Sequence, residues 1–159
     1  MTKHSFAAFA ALAASTVMPS AFAANKETGD NMKNTVDKLI MFSVAVSDMP
    51  RAKAFYVDEL GLKVASDNRR NDDHWWVSLS LPEGGPSIVL TTAHENMKPG
   101  TMKLHFEASD VAAAHEKLSA KGVKVNEVKD DLYGPGSGVK WFSLEDPDGN
   151  QVLLVQAPR

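Results

Sequence analysis

Three ionisable side chains, Lys103, His105 and Glu107, occupy alternate positions of one short segment, Lys103-Leu104-His105-Phe106-Glu107. If that segment is a strand, the three share one face, and Leu104 and Phe106 share the other. An imidazole next to a carboxylate suits proton transfer, so His105 and Glu107 are the candidate catalytic pair. The ammonium of Lys103 suits an anion. The same row equally suits a solvated charged sheet face, because surface ion-pair networks are common and mostly structural. Trp76 and Trp141 are the candidate aromatic walls, since indole faces take flat or cationic groups. Strand parity adds Ser43, Ser78, Ser143 and Glu145 as candidate polar contacts on the same faces.

Composition removes much other chemistry. With 0 cysteines the chain has no thiolate nucleophile, disulfide or Cys-ligated metal. A formal net charge of -3 leaves no excess of Lys and Arg, which argues against nucleic acid as the partner. The loop Gly134-Pro135-Gly136-Ser137-Gly138 lacks the Gly-Lys-Ser/Thr ending of a phosphate loop, and with Tyr133 it reads as a mobile edge or lid. Asp146-Pro147-Asp148-Gly149-Asn150 starts like a calcium loop. Gln151 and Ala157 then stand where a glycine and a bidentate glutamate are required, so it reads as a turn. His74, His94 and His115 are expected at the surface.

The first 23 residues read as a secretory leader. Lys3 precedes an apolar run from Phe6 to Val17, and Ala21-Phe22-Ala23 offers a small-x-small processing site. The run is short for a membrane span, which needs roughly 20 apolar residues. Processing would leave a periplasmic or secreted protein that starts at Ala24 and has no membrane segment. Residues 24–37 are polar and patternless and read as a flexible arm. A length of 159 residues then allows one domain, over residues 38–157.

That domain says nearly the same thing twice. Val46-Ser47-Asp48-Met49 is echoed by Ala108-Ser109-Asp110-Val111, and Gly61-Leu62-Lys63-Val64 by Gly122-Val123-Lys124-Val125. The stretch from Trp76 to Gly84 is echoed from Trp141 to Gly149. The offsets, 62, 61 and 65, are nearly constant, as expected of two copies with small loop changes. The modules span about residues 38–93 and 101–157, and each reads as strand, helix, then three strands. Asp48 and Asp110 are N-cap residues, and Gly61 and Gly122 stand where helices end. Second strands are expected near Leu62–Ser66 and Val123–Val128. Trp75, Val77, Leu79 and Leu81, with Phe142 and Leu144, form the row that must pack under the helices. The fold class is α+β, with two paired βαβββ modules forming an incompletely closed, barrel-like sheet and helices outside.

The Ser-Asp-apolar helix starts, the segment Ala54–Leu62 and Asp146-Pro147-Asp148-Gly149-Asn150 resemble the vicinal oxygen chelate superfamily. That group includes glyoxalase I, extradiol dioxygenases and bleomycin-resistance proteins, and the resemblance runs from Lys38 to Ala157. It implies a divalent metal held by first- and last-strand residues. Here those positions are Met41, Lys103, Leu153 and Val89 (or Ile88), none of them a suitable ligand. The resemblance therefore implies the metal-free branch, without a cofactor, binding a planar and partly polar small molecule. A metal-dependent lyase, isomerase or dioxygenase with displaced ligands (His105 and Glu107 with His74 or Glu145) is one alternative. A cofactor-free lyase or isomerase with Glu107 or His105 as base is another. Open sheet edges and the two-module repeat point to a homodimer.

Overall fold

The computed structural model describes residues 35–156. The expected leader and most of the arm lie outside them. The chain divides into two units, Met1–Val36 and Asp37–Arg159, and the elements below all belong to the second.

The first module comprises β1 (Met41–Ala45), α1 (Met49–Ala54), β2 (Lys63–Asn71), β3 (His74–Ser80) and β4 (Ser87–Thr91). The second comprises β5 (Lys103–Glu107), α2 (Val111–Ala120), β6 (Lys140–Glu145) and β7 (Gln151–Gln156). The first sheet has the order β1-β4-β3-β2 and the second β5-β7-β6. In each, the opening strand lies parallel to the last and the remaining pairs are antiparallel. Both helices start as their sequences require. Asp48 accepts the Arg51 N–H and Asp110 the Ala113 N–H, each at 3.0 Å, satisfying amides that an unstarted helix leaves open. Val111 also gives its N–H to Gln156 Oε1, which joins α2 to the end of β7.

Three local features depart from expectation. α1 does not continue as an α-helix but widens into a π turn over Phe55–Glu59, in which Phe55 and Tyr56 are buried. The extra residue per turn brings both aromatic rings inward, edge to face at 5.2 Å. β2 runs five residues past Ser66, carrying bulges between Val64 and Ser66 and between Arg69 and Asn71. The second strand expected at Val123–Val128 is reduced to two isolated bridges, Val125 with Leu144 and Lys129 with Trp141. These bridges differ by one residue in register, so a bulge interrupts the ladder before a strand can form.

Parity sorts the side chains as the alternation requires. Val77, Leu79, Ile88 and Leu90 join Leu104, Phe142, Leu144 and Val152 in one buried cluster with residues of both helices, and half-buried Trp75 packs against it. At its polar edge Trp75 donates Nε1–H to Asp67, which Lys53 also contacts, while the Arg69 guanidinium lies 4.4 Å above the ring. The hydrogen bonds from Lys53 and Trp75 hold the Asp67 carboxyl below its usual range.

Among the described residues, no strand of one sheet pairs with a strand of the other. Side chains make the join instead. The Tyr56 hydroxyl donates to Asp146 Oδ2 at 2.8 Å, and both residues are buried. The Ser47 N–H and hydroxyl both donate to the Asp148 carboxylate. Lys121, just after α2, reaches the Glu59 carboxylate at 3.4 Å.

Candidate functional site

Cross-strand register turns the candidate residues into a grid on the face opposite the helices. In the second module Lys103 lies across from Gln151 and Gln151 from Glu145; His105 from Leu153 and Leu153 from Ser143; Glu107 from Val155 and Val155 from Trp141. In the first module Ser43, Val89 and Ser78 share a row, as do Ala45, Thr91 and Trp76. Trp76 and Trp141 therefore occupy equivalent corners of the two grids, as the repeat requires.

Their surroundings differ. Trp76 is 38% exposed, with His74 tilted against it at 6.2 Å. Trp141 is half-buried, donates Nε1–H to Asp131 at 3.2 Å, and has Lys129 Nζ 5.7 Å from its ring centre. One indole is open, while the other is anchored by a carboxylate and already faced by a cation. Ser143, a candidate polar contact, is engaged within the protein. It is buried, and its Oγ accepts from Asn126 Nδ2 at 2.7 Å, because the segment after α2 folds against β6. Ser43 and Ser78 are half-buried, and Glu145 is exposed at the end of β6.

Four cavities distribute these residues. One of ≈ 570 Å³ is lined by Lys103, His105, Glu107, Val155, Leu132 and Tyr133, with Phe106. Its neighbour, ≈ 670 Å³, shares His105, Phe106 and Glu107 and is closed by the turn Leu81–Gly84 of the first module. A smaller one, ≈ 300 Å³, takes Trp141 and Ser143 with Asn126, Glu127 and Lys129. Glu145 belongs to a fourth, ≈ 560 Å³, beside Arg51, Lys124 and Asp148. None of the four is lined by both tryptophans, and Trp76, Ser43 and Ser78 line none of them. Within one chain, then, the Lys103 row forms a site, and the expected pair of facing indoles does not assemble around these cavities.

The Lys103 row is chemically unengaged. Among the described residues, Lys103, His105 and Glu107 have no side-chain hydrogen bond or ion pair. Strand geometry gives the reason for the two ends: four residues at roughly 3.3 Å each separate Lys103 and Glu107 by about 13 Å, too far to pair. Residues that sequence reasoning placed elsewhere or passed over complete the surroundings. Leu132 and Tyr133 wall the cavity, and Asn126, Lys129 and Asp131 fasten Ser143 and Trp141. The signal for Tyr133 was its place before a glycine-rich loop; for the others nothing short of the fold points to a role. Two histidines are corrected. His94 is half-buried with Nε2 2.8 Å from the Val46 carbonyl, and His115 lies edge-on against Phe142 at 5.2 Å, its Nε2 3.1 Å from the Asn126 carbonyl. Both are tied to backbone because helix and linker fold over strand ends.

The positions that the resemblance assigns to a metal do fall on the grids. Met41 and Lys103 are the equivalent first residues of β1 and β5, and Val89 and Leu153 lie centrally on β4 and β7. A thioether, an ammonium and two alkyl chains do not fit a divalent cation, which takes oxygen or imidazole. Among the described residues, no three of His, Asp and Glu, the His105–Glu107 set included, are grouped to hold a metal.

Known proteins share this arrangement. TnmS3, an antibiotic binding protein from Streptomyces sp. CB03234, is 28% identical with a TM-score of 0.69, covering 79% of this chain and 99% of its own. A glyoxalase/bleomycin resistance protein from the same organism is 30% identical with a TM-score of 0.62, covering 74% and 98%. The uncharacterized protein YetH of Bacillus subtilis (strain 168) is 25% identical over 120 residues, 72% of this chain and 93% of that protein. The model of the Glyoxalase/Bleomycin resistance protein/Dioxygenase superfamily matches residues 38–154. With the two-module fold and most of its length matched, the chain belongs to that superfamily, the vicinal oxygen chelate group.

Proposed function

We propose that this protein is an exported, metal-independent binding protein for a planar, partly polar small molecule. One observation carries the reading: a cavity of ≈ 570 Å³, within the size range of drug-like ligands, bordered by three ionisable side chains that no hydrogen bond or ion pair among the described residues engages. The likeness to an antibiotic binding protein at 28% identity supports the same class of ligand. The donor set at Met41, Val89, Lys103 and Leu153 supports binding without a metal.

The test is a tryptophan-fluorescence titration with planar, partly polar compounds in buffer containing EDTA. A binder should quench emission, and EDTA should leave both affinity and melting temperature unchanged, because a native metal would add its binding free energy to stability. Trp141 stands across from Val155 of this cavity but lines another, so Trp141→Ala should remove much of the quenching and leave affinity nearly unchanged. Quenching that disappears with EDTA would overturn metal independence; absence of any quenching compound would overturn the binding reading.

We also infer a homodimer. Trp76 (38%) lines none of the four cavities and is exposed on the same face of its sheet as Met41 (48%), with Val64 (43%) exposed on β2. A second copy would cover that apolar area. Light scattering combined with intact mass on protein purified from its source should find two chains, each starting at Ala24. A monomer, or a retained Met1, would count against assembly and export respectively.

A further inference from the structure

Building on the binding reading, we infer that the Lys103 cavity selects a flat organic anion, with Lys103 holding the charge and Tyr133 covering the ring. Among the described residues, Lys103 is the only Lys or Arg lining this cavity. Its neighbour in the grid is the neutral amide of Gln151, and the carboxylate of that row, Glu145, is two strands away, about 10 Å at the usual strand spacing. Glu107, about 13 Å along the strand, is farther than the screening length of about 8 Å at physiological salt. Among the described residues the Lys103 end therefore carries a positive charge with no paired counter-ion, and the Glu107 end a negative one. Between them the cavity wall is apolar, formed by Val155 and Leu132, with His105 as the central polar group. A ligand with a flat apolar body and one anionic group fits in one direction only. Its charge lies at Lys103, away from Glu107.

Tyr133 supplies the cover. It lines the cavity yet leaves 80% of its surface in water, a poor use of an aromatic ring unless something flat is placed under it. The chain that follows turns tightly, with Gly134 N–H donating to the Asp131 carbonyl and Ser137 N–H to the Gly134 carbonyl. Gly134, Gly136 and Gly138 all have positive φ, at 110°, 80° and 67°, conformations that cost other residues. Tyr133 is thus presented at the cavity rim by a glycine-built turn.

The experiment uses two fluorescent probes of similar shape and opposite charge, the anion anthracene-2-sulfonate and the cation proflavine, on the intact protein. Melting curves confirm that each variant is folded. The anion should bind saturably, one per chain. Lys103→Met should weaken it about tenfold, the loss expected for a charge-assisted contact. Tyr133→Ala should weaken it about fivefold, a stacking loss, with an unchanged melting temperature. Glu107→Gln should leave it equal or tighter. Proflavine should not lose affinity in Lys103→Met. Anion binding indifferent to Lys103→Met, or equally damaged by Glu107→Gln, would overturn the inference. If proflavine binds and the anion does not, the charge preference falls while the binding reading stands. If neither binds and no compound quenches tryptophan, both fall.

Discussion

Asp146→Ala should lower the stability of the folded chain by about 3–5 kcal/mol, the cost of removing one partner from a buried, charge-assisted network. The Asp146 side chain is 5% exposed and accepts four hydrogen bonds. Oδ1 takes the N–H groups of Asp148 and Asn150, at 3.0 and 2.8 Å, while Oδ2 takes the Asn150 side chain at 2.7 Å and the Tyr56 hydroxyl at 2.8 Å. Alanine would leave a buried phenol and a tight turn without partners. Three of the bonds are local to the turn, and the fourth crosses between modules. Tyr56→Phe isolates that fourth bond and should cost less, about 1–2 kcal/mol. Urea denaturation followed by tryptophan emission measures both, and a cost below 1 kcal/mol for Asp146→Ala would show that the network contributes little. The same bond sets an alkaline limit. Burial, then the Asp146 charge, raises the Tyr56 hydroxyl far above the usual tyrosine range. The unfolded chain releases that proton near pH 10, while the folded chain keeps it. Stability is therefore undiminished below about pH 10 and declines above it, a decline that Tyr56→Phe should flatten.

Gly100→Ala should destabilise the protein by about 2–4 kcal/mol, as large as a core truncation although the residue sits in a linker. Gly100 has φ +78°, and a Cβ there would run into the Asp148 carbonyl oxygen. Backbone, not a movable side chain, is what it would strike. The linker between modules must pass this close because Met102 N–H donates to Asn150 Oδ1 and Gln151 N–H to the Met102 carbonyl. Gly122→Ala is the control. It has the same sign of φ, +82°, with nothing within 4 Å of the added methyl, so only the conformational cost of roughly 1 kcal/mol should appear. Equal midpoints for the two variants in urea would show that close approach at Gly100 has no energetic weight.

Both variants converge on residues 146–150, a turn that resembles its counterpart, Leu81–Gly84, in sequence and place but not in role. Asp146 stands where the first module has Leu81, and Tyr56 where the second has Leu118. One side of the repeat is clasped by a buried hydroxyl and carboxylate, and the equivalent positions on the other are apolar and belong to the core cluster. The repeat predicted equivalent elements; it could not predict unequal joints, because they depend on which pairs of side chains meet.

What the sequence determined by itself is whatever depends on period and local chemistry. Alternation assigned Val77, Leu79, Phe142 and Leu144 to the helix side and Trp76 and Trp141 to the other, since side chains on a strand alternate by steric necessity. Asp48 and Asp110 announced the helix starts, and Gly61 and Gly122 their ends, with φ of 80° and 82°. The Lys103, His105 and Glu107 row was legible for the same reason. Only the tertiary structure decided which row becomes a cavity. Tyr133 and Leu132 reach the Lys103 row from a loop some thirty residues on, and Asn126 closes Ser143 from the segment after α2. The one-residue slip between the Val125 and Lys129 bridges is equally silent in the pattern. Contacts between residues distant in sequence follow from packing a whole core at once, and no local period records them.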